Sequence, residues 1–167
     1  DLNDGGILFC FFTSSFALHA TENDDLVKAM MEVYAEELAA NPQDYRTYYS
    51  RAMAYFGQGD MKKALSDIDN AIKYFPRKEK DDLAQAYLLR AKILSERGET
   101  KSALTDLNSA LRLVPNHRLA LKDRGDLLCR LGQYDMAKID YNHLLRMDTR
   151  SQSAFMGLAR VEAHTDH

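Results

Sequence analysis

The residues that could do chemistry in this 167-residue chain are scattered. His117 follows Pro115 and Asn116 at a turn, His143 falls in the middle of a helical stretch, and His164 and His167 close a polar tail. General acid–base work needs a base beside a nucleophile, and a metal centre needs three or four ligands brought together; no spacing among these histidines offers either. They read as capping or surface residues. Cys10 and Cys129 lie far apart, with no CxxC pair and no Cys/His cluster beside them, so neither a disulfide scaffold nor a zinc site is expected. Cys129 reads as a small packing residue. There is no GxxxxGK[ST] and no GxGxxG, hence no backbone cradle for a phosphate. An enzyme is not expected, and no cofactor or metal is expected.

What recurs instead is a pair of opposite charges. Arg51, Arg90 and Arg124 are each followed sixteen residues later by Asp67, Asp106 and Asp140. A row of arginines could hold a ligand, but charges matched one for one favour a bidentate pair bridging two helices, the geometry that suits guanidinium and carboxylate.

The elements that carry these pairs are helices. Three prolines, eight glycines and no tryptophan leave few punctuators, and 46% hydrophobic with 28% charged residues is a globular composition. A net charge of −3 gives no electrostatic reason to expect nucleic acid. The stretch from Tyr45 to Pro76 splits at Gly57, Gln58, Gly59 and Asp60 into two amphipathic segments. Tyr48, Ala52 and Tyr55 share one face of the first, and Ala64, Leu65, Ile68, Ala71 and Ile72 share one face of the second. Gly59 supplies the positive φ of a tight turn, Asp60 caps the second helix and Pro76 stops it.

This hairpin is restated downstream. Ala64 recurs as Ala103 and Ala137, Gly59 as Gly98 and Gly132, and Tyr48 as Tyr87 and Leu121, at offsets of 39 and then 34 residues. The five extra residues belong to the charged segment Arg77 to Asp82, which lengthens the linker or adds a turn to the helix that follows. A shift back by 34 residues puts the helical stretch from Asp24 to Ala40 in the second-helix slot of a preceding unit, with Leu26, Met30, Val33, Tyr34 and Leu38 as its apolar stripe. A shift forward puts Ser151 to Ala163 in a first-helix slot. Three hairpins flanked by half units result, and such units need one another to bury their faces.

Residues 7 to 20, ILFCFFTSSFALHA, resemble a secretory signal peptide, although Asp1 and Asp4 stand where a basic region is expected. The apolar run is too short for a membrane span, which takes about 20 residues. A signal segment would place the protein in the periplasm or outside the cell; otherwise it is cytoplasmic. The domain itself spans residues 21–167.

In residues 24 to 163 the pattern resembles the tetratricopeptide repeat family. The units run over about 45–78, 84–117 and 118–151, with half repeats at 24–42 and 152–164. The first carries the family's large, small, Gly, Ala and Pro positions as Tyr48, Ala52, Gly59, Ala64, Ala71 and Pro76; the third departs with Leu144 and Thr149 for Ala and Pro. The resemblance implies an all-α, right-handed α-solenoid of stacked antiparallel hairpins, and a scaffold whose first helices line a groove for a peptide or helix of a partner protein. The groove positions it assigns are Arg46, Tyr49, Met53 and Phe56 in the first unit, Leu88 and Lys92 in the second, and Leu119, Lys122 and Asp126 in the third. Tyr49, Met53, Phe56 and Leu88 would be apolar anchors. The carboxylate clamp of chaperone co-factors is absent, since Tyr49, Met53, Leu89, Leu119 and Asp123 occupy its places. Self-association, or membership of a longer repeat chain, is the alternative.

Overall fold

A computed structural model describes residues 24–165; the signal-peptide reading of residues 1–20 lies outside them. The described chain is all-α: α1 (Asp24–Ala40), α2 (Tyr45–Gly57), α3 (Met61–Tyr74), α4 (Lys80–Glu96), α5 (Thr100–Leu113), α6 (Arg118–Arg130), α7 (Tyr134–Met147) and α8 (Gln152–Thr165). They divide into two compact units, with the division between Arg77 and Lys78, inside the charged insertion.

In the first unit α1 packs on α2, and α2 packs on α3 as an antiparallel hairpin. Asp44 begins α2 by accepting from the Arg46 amide at 3.1 Å, and the Thr47 hydroxyl reaches Glu37 on α1 at 2.8 Å, which ties the two helices where the chain turns. Gly59 takes φ 79°, and the Asp60 carboxylate accepts from the Lys63 amide at 3.0 Å, as the turn chemistry predicts. Ala52 and Ala64 are fully buried, so the two helix axes approach closely, and Ile68 and Ala71 fill the same seam. The hairpin closes with the rings of Tyr45 and Phe75 at 4.3 Å and those of Tyr48 and Tyr74 at 6.2 Å.

Helix α1 departs from its expected stripe. Tyr34 and Leu38 are buried, but Leu26 and Val33 are exposed. A second-slot helix normally has neighbours on two sides; among the described residues of its unit α1 packs chiefly on α2, and Leu26 and Val33 of its apolar stripe stay exposed.

In the second unit α4 pairs with α5 and α6 with α7, while α8 packs on α6 and α7. Gly98 and Gly132 repeat the positive φ of Gly59, at 78° and 72°. The insertion lengthens a helix as well as the linker: α4 has 17 residues where α2 and α6 have 13. The missing proline at Thr149 does not carry α7 onward. Asp148 stops it, accepting from the Arg150 amide at 3.0 Å, and Ser151 opens α8 by accepting from the Ala154 amide.

Candidate functional site

The repeated charges form the pairs their spacing predicts. Arg51 donates Nε and Nη2 to the two oxygens of Asp67 at 2.7 and 2.8 Å, Arg90 does the same to Asp106, and Arg124 to Asp140 at 2.8 and 2.6 Å. The three aspartates are buried, and the hydrogen bond that Arg51 donates to Asp67 raises the affinity of Arg51 for its proton. These arginines are engaged in holding hairpins together, which removes them as a ligand row.

The groove positions fall into two chemically different sets. In the first unit Arg46, Tyr49, Met53 and Phe56 lie along α2; Arg46 is exposed, with its guanidinium 5.3 Å from the Tyr45 ring centre, and the other three are partly exposed. Spacings of four and three place Tyr49, Met53 and Phe56 on one helical face. Thr47, Ser50 and Ala52 are the buried residues of α2, and Tyr49, Met53 and Phe56 keep part of their surface open beside them.

In the second unit the assigned positions behave differently. Leu88 is only 3% exposed, so it belongs to the core and not to the surface where an anchor would act. Leu119 is open to solvent. Lys92 on α4 and Lys122 and Asp126 on α6 enter an ionic network: Lys122 donates to Asp126 at 2.8 Å, and the Lys122 and Lys92 ammoniums lie 3.5 and 3.8 Å from Asp123. Two further members come from residues to which the sequence pattern assigns no such role. Arg160 on α8 donates to Asp126 at 3.1 Å, and the Tyr141 hydroxyl on α7 donates to the same oxygen at 2.7 Å.

Tyr141 reaches Asp126 through a slot between α6 and α8. A Cβ placed on Gly125 would lie 2.8 Å from the ring, and one on Gly157 would come closer still. The ring is fully buried, and its hydroxyl also stands 3.7 Å from the Cys129 sulfur. The sequence carried a signal for this: Tyr141 occupies the place of Ile68 and Leu107, opposite Gly125 where the other units have Ala52 and Ala91.

The network sets the charge states. Burial opposes ionisation of Asp126, but the hydrogen bonds from Lys122 and Tyr141 outweigh it and hold the carboxyl below the usual range. Lys122 is shifted upward, chiefly by the Asp126 bond, and Tyr141 is pushed far upward by burial and then by Asp126. The arrangement is fixed charge around a clamped carboxylate. It presents no base beside a nucleophile, and among the described residues no three His, Cys, Asp or Glu side chains gather as metal ligands. No helix among them is long and apolar enough to cross a membrane.

The histidines cap and pair. His117 Nδ1 accepts from the Ala120 amide at 3.2 Å at the start of α6, His143 bonds Asn116 at 2.9 Å, and His164 bonds the Arg160 carbonyl.

Comparison with known proteins agrees with this architecture. A family model described as Tetratricopeptide repeat matches residues 43–116. No curated protein matches the chain in sequence. Among solved structures, a tetratricopeptide repeat protein from Parabacteroides merdae is similar at 28% identity and TM-score 0.73, over 90% of this chain and 57% of that one. YrrB, described as a TPR protein with an unusual peptide-binding site, is similar at 19% identity and TM-score 0.72, over 92% of this chain and 76% of its own. The first TPR of Spaghetti, bound to an HSP90 peptide, is similar at 20% identity and TM-score 0.67, over 75% of this chain and 95% of its own.

Proposed function

We propose that this chain, whose residues 43–116 match a tetratricopeptide repeat family model, is a non-catalytic interaction module that receives an extended segment or helix of a partner protein on the partly exposed face of its first-slot helices. One observation carries the reading: Tyr49, Met53 and Phe56 form a partly exposed apolar row along one face of α2. Aromatic and methionine side chains at a partly open face are the usual anchors of peptide recognition, and Arg46 at the same edge adds a polar rim. The peptide bound to Spaghetti and the peptide-binding site ascribed to YrrB support the same use of the fold. Leu88 has no part in the proposed face, since it is buried. The compartment follows residues 1–20 alone: a signal segment there puts the module in the periplasm or outside the cell, and without one it works in the cytoplasm.

The test uses a random peptide library displayed on phage. Wild type should enrich peptides that share apolar side chains at regular spacing, and Tyr49→Glu with Met53→Glu should lose them while keeping its helicity. Enrichment that survives the double substitution would place the binding face elsewhere.

A further inference from the structure

We propose that copies of this chain join head to tail, with α1 of one copy lying beside α8 of the next and completing the hairpin that each of them half forms. This goes beyond the peptide-binding reading and uses neither Tyr49 nor Met53.

The internal repeat defines what each half lacks. In the complete hairpins the first-slot helix covers a strip against its partner: Leu121 is 1% exposed, Tyr48 and Tyr87 are half-buried at the same place, and Ala52 and Ala91 are buried at the next position of that strip. The same places on α8 are Phe155, 54% exposed, and Ala159, also exposed. Helix α8 therefore presents an uncovered surface for a second-slot helix. Helix α1 is a second-slot helix by the same 34-residue period, and among the described residues of its unit no first-slot helix precedes it.

The residues that replace the repeated ion pair match these two helices to each other. In all three complete hairpins Arg and Asp face one another, with Asp67, Asp106 and Asp140 buried. The corresponding residue of α8 is Leu158, and that of α1 is Val33, which is 50% exposed. Both halves have exchanged the charge for an apolar side chain at the position where they would touch. Terminal repeats that face only water keep a polar outer surface, and a lone Arg or Asp would serve that purpose. A Leu opposite a Val instead forms a dry contact that excludes a single buried charge. Long-range charge agrees. Helix α1 carries five acidic residues and one basic, whereas residues 118–165 carry eight basic and six acidic, so the two ends attract. The contact joins different surfaces of the two copies, so it is heterologous and can recruit further copies.

The occupant of the α8 surface is tested with the full chain by light scattering from micromolar to near-millimolar protein. Wild type should rise in mass with concentration. Val33→Asp alone and Leu158→Arg alone should each weaken association by about tenfold or more, because each sets a charge against an apolar partner. Mixing the two variants should restore association, since the carboxylate introduced on α1 of one variant then meets the guanidinium introduced on α8 of the other in the geometry of the complete hairpins, while the other junction stays Val against Leu. A fold lost by either variant could not give that recovery. Wild type that stays monomeric throughout, single variants that associate like wild type, or a mixture that remains monomeric would each overturn the proposal, and would leave the surface to a helix of another protein or of a longer chain.

Discussion

His117 shows how a single side chain can make helix formation sensitive to acid. Its Nδ1 accepts from the Ala120 amide, so the ring proton sits on Nε2, which is buried and has no hydrogen-bond partner. Protonating the ring would turn the capping acceptor into a donor aimed at an amide. Burial pushes the pKa below its ordinary value, and Lys92 acts in the same direction, against the pull of the residue's own backbone and of Asp81 and Asp123. The folded chain then binds fewer protons at this site than the unfolded chain. Stability from His117 is complete above about pH 6.5 and is lost as pH falls toward the lowered folded value. His117→Asn keeps a capping acceptor without titrating. Its urea midpoint should fall less than that of wild type as the buffer is taken from about pH 7 to about pH 5. Nuclear magnetic resonance of the His117 ring gives the direct check: titration at or above the value of the other histidines would remove this account. The sequence placed His117 at a turn and assigned it to capping or surface; it could not show the burial of Nε2, which depends on packing around α6.

At the level of elements, the three hairpins share a framework and differ in how they fill it. Gly59, Gly98 and Gly132 make one turn, and the Arg–Asp pairs make one bridge; both are local consequences of spacing, which is why the sequence revealed them. The Tyr141 slot is not local, because it needs Gly125 on α6 and Gly157 on α8 together. Ordinarily Gly→Ala inside a helix stabilises by about 1 kcal/mol. At Gly157 the added methyl would meet the Tyr141 ring in a fully packed interior, where overpacking costs about 1–3 kcal/mol, so Gly157→Ala should lower the melting temperature. Tyr141→Leu restores the side chain of the second unit at that place, and in its background Gly157→Ala should become neutral or stabilising. A Gly157→Ala penalty that persists in the Tyr141→Leu background would show that the glycine serves something other than the ring. Leu88 teaches the same limit from the other side: its motif position marks the groove face, but its surroundings enclose it.

At the scale of the whole molecule, stacked repeats distribute stability by nearest neighbours, so helices at incomplete hairpins should open first. The burial pattern states the order. Helix α4 has eight buried residues among seventeen, α8 has Ala154, Gly157 and Val161, and α1 has Tyr34 and Leu38. The periodicity marks α1 and α8 as helices, but the solvent exposure of Leu26 and Val33 emerges only once α1 is seen to pack chiefly on α2 among the described residues of its unit. Amide hydrogen exchange in dilute protein should therefore be slowest in α4 and α5 within the second unit, faster in α8, and faster in α1 than in α2 or α3 within the first. Protection of α1 equal to that of α3 would contradict the nearest-neighbour picture. Head-to-tail joining adds a signature that fraying alone does not produce. As concentration rises, α1 and α8 should gain protection together, because each junction covers one of each, while α4 stays unchanged. Slowing in α8 without slowing in α1 would mean that some other surface covers Phe155, and parallel slowing in both would tie the two half hairpins to one interface.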